Sequence, residues 1–220
     1  MLDPKLFSFL DELKENNNKE WFDANRNRYK ELRQHFIHYV SLLIHELSLL
    51  DPGLGTPDPS KSVFRINRDI RFSKDKSPYK TNMGAFITPG GKNASLPGYY
   101  FHVEPGSSML AGGMWMPPSE DLKNIRKEIF ENIDEYKEII RDEEFREKFG
   151  EVHGEKLKTA PQGFPKDHPD IDLLRYKSYT VFREVPDKLL TSPDSLTKIM
   201  ETYSAMKPFN DFLKHAVQKS

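Results

Sequence analysis

The chain contains no cysteine. No disulfide can staple it, no thiolate can hold a metal and no thiol can act as a nucleophile, a composition that suits a reducing compartment. Long apolar runs are missing as well. The first residues, Met1-Leu2-Asp3-Pro4-Lys5, lack the charged-then-apolar layout of an export signal, and no segment is apolar for the length of a membrane span. A cytoplasmic location away from membranes is therefore expected. An excess of one charge is absent too, since 33 Lys and Arg face 34 Asp and Glu for a net charge of −1. That balance argues against a dedicated nucleic-acid binder with a broad basic footprint, so electrostatic recognition has to be local.

What the chain does have is aromatic bulk. Its 15 Phe, 9 Tyr and 2 Trp offset a hydrophobic fraction of only 36%, because each ring buries a large area. With 220 residues the length fits a single domain around one core.

The patterning predicts an α+β fold. Asp3-Pro4 opens a first helix that runs to about Glu15 and is broken by Asn16-Asn17-Asn18. Asn17 and Glu20 have capping-box spacing for a second, long helix. Its apolar positions Phe22, Tyr29, Leu32, Phe36, Tyr39, Leu43 and Leu47 form one stripe, and Asp51-Pro52-Gly53 ends it. The character then changes. Short aromatic or apolar segments at 63–66, 84–88, 99–104 and 109–116, punctuated by Pro89-Gly90-Gly91 and Pro105-Gly106-Ser107, read as strands. Those over about 84–116 are expected to form an antiparallel meander, because their connections are too short for parallel crossovers. A middle helix starts at Pro118-Ser119, a further strand lies at 179–185, and a final helix capped at Ser192-Pro193 reaches Pro208. Long N-terminal, middle and C-terminal helices then pack the central sheet.

The densest chemistry lies between Arg65 and Lys80, where Arg65, Arg68, Arg71, Lys74, Lys76 and Lys80 stand against Asp69 and Asp75. Guanidinium forks suit bidentate recognition of phosphate or carboxylate, and the two acids can orient some of them. In a helical turn the three arginines would share one side. In a strand Arg68 would oppose the other two. The alternative to a ligand site is a purely structural Arg-Asp network.

The run from Arg65 to Tyr79, with Arg68-Asp69, Arg71-Phe72 and Asp75-Lys76, resembles the signature of a conserved-hypothetical family of bacterial and fungal proteins, domain of unknown function 2461. The resemblance extends over nearly the whole chain, through Trp21-Phe22, His102, Gly112-Gly113, Trp115 and the segment from Asp167-His168-Pro169 to Lys177. It implies a common site made of Arg65, Arg68, Asp69, Arg71, Asp75, Lys76, Tyr79, Lys80, Arg175 and Lys177 for an anion, with Phe72 and Trp115 as an aromatic platform. It implies no activity and no cofactor.

Two histidines are candidate proton carriers. His102 and Glu104 fall two apart on an expected strand and so share a face, which suits two metal ligands or an acid/base pair, with a hydrogen-bonded histidine at a sheet surface as the favoured alternative. His168 sits in a Pro-rich turn beside Asp167. No metal motif completes either pair, so the fold is expected to withstand chelation. Gly90-Gly91-Lys92 lacks phosphate-loop spacing and reads as a hairpin turn. The leading expectation is binding, with or without catalysis, of a phosphorylated or carboxylated small molecule. A nucleic-acid-binding module comes second, and an interaction domain with a structural Arg-Asp network third.

Overall fold

A computed structural model describes residues 1–218. Helix α1 (Pro4–Glu15) begins as its sequence dictates, with the Asp3 carboxylate accepting the Lys5 amide at 2.9 Å and Pro4 in the first turn. It buries Leu6, Phe7, Phe9, Leu10 and Leu13. Helix α2 (Lys19–Ala24) is capped by Asn18 rather than Asn17: the Asn18 side chain accepts the Trp21 amide at 3.0 Å. A break at Asn25 separates α2 from α3 (Arg26–Leu50), so the expected continuous stripe bends after Phe22. A 3₁₀ turn (Pro52–Leu54) and the short α4 (Pro59–Ser62) follow.

Four strands, β1 (Met83–Ile87), β2 (Gly98–Val103), β3 (Met109–Met114) and β4 (Tyr179–Glu184), form one antiparallel sheet in chain order. The expected meander is present. In register, Ala85 pairs with Phe101 and Phe101 with Leu110, while Phe86, Tyr100, Ala111 and Phe182 line up on alternate positions. The strand expected at 63–66 does not form. Only Val63 bridges Ala85, and Phe64 donates its amide to the Gly84 carbonyl at 2.9 Å. Beyond Phe64 the chain is drawn off the sheet edge by a bridge between Asn67 and Tyr79.

The middle helix divides at Asn132 into α5 (Ser119–Glu131) and α6 (Ile133–Arg141). The charged segment after it holds a further helix, α7 (Glu143–Phe149), whose Phe145 and Phe149 bury four residues apart. Two single-turn helices, α8 (Ile171–Leu174) and α9 (Asp187–Leu190), flank β4. Helix α10 (Ser195–Gln218) runs through Pro208 instead of stopping there. Phe209, Phe212, Leu213 and Ala216, all past the proline, are buried, so packing outweighs the lost backbone hydrogen bond.

Strand alternation gives the sheet two unlike faces. Ala85, Ile87, Tyr99, Phe101, Leu110, Tyr179 and Val181 are buried on the first, where α3 and α10 cover them. Phe36 stacks on Phe101 at 5.7 Å, and the Tyr203 hydroxyl donates to the Tyr100 carbonyl at 2.9 Å. Asn210 brackets two strands, accepting the Gly113 amide at 2.8 Å and donating to the Gly98 carbonyl at 3.1 Å. Close approach explains Gly112, where a Cβ would come within 2.1 Å of Met206 Sδ. The second face carries Gly84, Phe86, Tyr100, His102, Met109, Ala111, Thr180 and Phe182. Loops, not helices, border it. No helix among the described residues is long and apolar enough to cross a membrane.

Candidate functional site

The second sheet face is the floor of a cleft of about 960 Å³. Phe86, Tyr100, His102, Met109, Ala111, Thr180 and Phe182 point up from the strands. The walls come from the Arg-rich segment, the loop after β1 that carries Lys92, and the turn after β3 that carries Trp115 and Met116. Met116 is the one non-glycine residue with a positive φ (47°) among the described residues, and its amide is held by Ser178 Oγ at 2.9 Å. This kink leaves Trp115 72% exposed at the rim.

The Arg-rich segment is neither helix nor strand. It is a loop closed at its neck, where the Arg68 amide donates to the Pro78 carbonyl at 2.9 Å and the Lys80 amide to the Ile66 carbonyl at 2.8 Å. The neck is anchored to the N-terminal helices. Asn17, relieved of capping, accepts the Tyr79 amide at 3.0 Å and donates to the Tyr79 carbonyl at 2.9 Å. The Tyr79 ring is buried and stacks on Phe22 with centroids 4.0 Å apart. Tyr79 thus ties the loop to the N-terminal helices.

Within the loop the arginines separate. Arg71 forms a two-bonded fork with Asp69, at 2.9 and 2.7 Å, on the exposed tip, and that guanidinium holds the Asp69 carboxyl below its ordinary range. Arg68 pairs with Asp75 and also donates to the Ser77 carbonyl at 3.0 Å. Bonds from Ser77 first, then from Arg68, bring the Asp75 carboxyl down to about 2. Lys76 donates to the Ile70 carbonyl at 3.0 Å and is not on the cleft. Phe72 is 95% exposed beside Arg71, away from the cleft lining. The helical stacking of Arg65, Arg68 and Arg71 therefore does not occur, because each acid draws its own arginine locally.

Lys80 behaves differently. It lines the cleft, and its ammonium makes no hydrogen bond or ion pair with the described residues. Its ammonium lies 5.3 Å from the Phe64 ring centroid. Lys92, from the glycine turn, approaches the same ring at 5.9 Å and caps the end of α4 by donating to the carbonyls of Lys61 and Val63, the latter at 3.1 Å. Lys92 keeps one N–H donor in reserve. Neither lysine has a carboxylate partner among the described residues. The cation-π contacts are worth about 0.5–2 kcal/mol each. They do not cancel the charge: partial burial, and then the repulsion of nearby Arg65, lower the Lys80 pKa.

On the floor, Tyr100, His102 and Glu104 are joined. The Tyr100 hydroxyl is 2.9 Å from His102 Nδ1, and His102 Nε2 is 3.2 Å from Glu104 Oε2. His102 is 8% exposed, so the shared face expected for His102 and Glu104 is realised as a hydrogen-bonded chain. His168 is elsewhere: its Nδ1 accepts the Asp170 amide at 3.1 Å, and its ring packs on Phe130. Arg175 is bound to Asp172 and to the carbonyls of Leu157 and Lys158, and Lys177 to Glu155. Neither reaches the cleft lining. The structure thus brings Arg68, Asp69, Lys80, His102 and Trp115 to one cleft, with Arg65 next to Lys80. It leaves Arg71, Phe72, Asp75, Lys76, Tyr79, His168, Arg175 and Lys177 outside.

Three cleft residues escape sequence reasoning. Lys92 hides in a turn whose spacing is wrong for a phosphate loop. Tyr100 sits in an aromatic run that reads as packing, and Phe64 in a segment that reads as strand. The period-two alternation of Tyr100, His102 and Glu104 is the one signal that links part of this set.

Fold and site together define an α+β protein with a partly basic, partly aromatic cleft on the uncovered face of an antiparallel sheet. The chain belongs to the conserved hypothetical protein family DUF2461, whose family model matches residues 5–212. No curated protein and no solved structure gives a significant match.

Proposed function

We propose that the protein binds a small molecule bearing a phosphate or carboxylate in the sheet-face cleft. Lys80 and Lys92, backed by Arg65, hold the anion. Phe64, Tyr100 and Trp115 flank the rest of the ligand. The observation that carries this reading is the pair of ammonium groups about one Phe64 ring, at 5.3 and 5.9 Å, without a carboxylate partner among the described residues. A bound anion would supply the missing counter-charge and reverse the depression of the Lys80 pKa. Arg68 contributes from the wall but already has Asp75, and Arg71 is spoken for by Asp69. The tip of the loop is thus the structural Arg-Asp network of the competing reading, and the anion pole lies at the loop's base.

A cleft of this size suits a cofactor-sized or metabolite-sized ligand. A nucleic acid would need a basic track along the surface. The uncompensated cations instead cluster around Phe64, and Arg175 and Lys177 are tied to acids or carbonyls elsewhere. The test is a melting-temperature screen with inorganic phosphate, nucleoside monophosphates and aryl carboxylates. A ligand at 100 times its Kd stabilises the folded state by about 2.7 kcal/mol if it binds that state alone. We expect at least one compound to raise Tm in the wild type and in Arg71→Ala, but not in Lys80→Met/Lys92→Met. No shift with any compound at millimolar concentration, or an undiminished shift in the double variant, contradicts the reading.

A further inference from the structure

The floor of the cleft holds more than a binding surface. Tyr100, His102 and Glu104 occupy alternate positions on β2 and its end, so all three project to the open face. Glu104 Oε1 accepts the Thr81 hydroxyl at 2.8 Å, which leaves Oε2 for His102 at 3.2 Å. A carboxylate only accepts, so the His102 proton belongs on Nε2 and the Nδ1 lone pair faces the Tyr100 hydroxyl at 2.9 Å. Hydroxyl, imidazole and carboxylate stand in the order of a nucleophile, its base and the group that orients the base.

Space has been kept for the hydroxyl. A Cβ on Gly84, the β1 neighbour of His102, would lie 2.8 Å from the Tyr100 oxygen. Phe64, whose ring carries the two ammonium groups, meets Tyr100 edge-on at 6.2 Å, so the anion pole and the hydroxyl share one wall. Burial, and then the charge of Glu104, push the phenol up to about 12. The hydroxyl therefore keeps its proton at neutral pH until a base withdraws it, which is the task the His102 lone pair is placed to do.

We propose that Tyr100 is the reactive hydroxyl of this cleft, activated by His102 with Glu104 as the positioning residue, and that it attacks an electrophilic centre of the anion held by Lys80 and Lys92. The inference rests on the binding reading above. In the step, the phenolic oxygen forms a bond to the electrophilic atom, and the bond from that atom to its leaving group breaks with its electron pair. The phenolic proton passes to His102 Nδ1, and the imidazolium so formed faces the Glu104 carboxylate. The class is group transfer from an anionic substrate through a covalent aryl ester.

The probe is 4-(fluorosulfonyl)benzoate, which offers a carboxylate to the lysines and a sulfonyl fluoride to the hydroxyl. Attack forms an oxygen–sulfur bond and releases fluoride. Peptide mapping by mass spectrometry should place one adduct on Tyr100, none in Tyr100→Phe, and labelling slowed by about tenfold or more in His102→Gln and Glu104→Gln. Glu104→Gln keeps the side-chain shape while removing the charge and one acceptor oxygen, and its melting curve reports whether it is folded. Excess inorganic phosphate should protect the wild type. Adducts confined to lysines or other tyrosines, or a folded Glu104→Gln that labels at the wild-type rate, would overturn the proposal. Labelling of Tyr100 that phosphate neither slows nor blocks would instead sink the anion pole while leaving the activated hydroxyl standing.

Discussion

Phe101 and Phe182 stand on the same sheet and point in opposite directions. Phe101 is fully buried against α3, whereas Phe182 is 37% exposed at the cleft. The strands are the same and the difference lies in what covers them. Helices seal one face with aliphatic and aromatic side chains. Loops border the other and admit a histidine, a glutamate and two lysines that the sealed face could not take without full compensation. Stability and candidate chemistry are therefore divided between the two faces, and each can be perturbed alone.

The largest expected effect is on the sealed face. Phe101→Ala removes a ring stacked on Phe36 and should cost about 3–5 kcal/mol of unfolding free energy. Phe182→Ala should cost less than about 1 kcal/mol, because its site is already open to solvent. Urea denaturation of both variants checks the contrast. Equal losses would mean that the cleft face is as sealed as the other.

A smaller effect sharpens the contrast through pH. The Lys80 pKa is lowered in the folded protein by burial and then by Arg65. A lowered lysine pKa means that the charged form is disfavoured on folding. The wild type therefore carries a penalty below the folded pKa, and the penalty is relieved as pH rises through that value toward the unfolded 10.5. Lys80→Met should melt no lower than the wild type at pH 7 without added anion, with the difference shrinking as pH approaches the ordinary lysine range. A ligand that binds at Lys80 should reverse the order. Denaturation curves from pH 7 upward read both, and a variant less stable than the wild type throughout would contradict the assignment of Lys80 as an uncompensated charge.

Much of the architecture is legible in the chain because it repeats locally. The alternation through Tyr99, Tyr100, Phe101, His102 and Val103 and the turn at Pro105-Gly106 announce β2 and its hairpin, and Asp3-Pro4 announces α1. The breaks at Asn25 and Asn132 are less visible, since a single asparagine is only mildly unfavourable in a helix and tertiary packing decides. Pro208 misleads for the same reason. Least legible is the site. The bond between Asn17 and Tyr79 joins residues 62 apart, and no spacing rule anticipates it. Charge density points to the whole Arg-rich loop, yet Asp69 and Asp75 neutralise Arg71 and Arg68 there. What matters is which cations lack a partner, and Lys92 reaches Phe64 from a turn almost 30 residues away. The family resemblance groups Lys80, His102 and Trp115, and all three line the cleft. It also gathers Tyr79, which serves the loop's anchorage.

If the uncompensated cations about Phe64 form the anion pole, an oxyanion should be found between them. Crystals soaked in tungstate, a tetrahedral dianion with strong anomalous scattering, should show a peak between the ammonium groups of Lys80 and Lys92 in the wild type and none there in Lys80→Met/Lys92→Met. A peak seated instead on Arg68 at the cleft wall or on Arg71 at the loop tip, with the Phe64 site empty, would contradict that assignment.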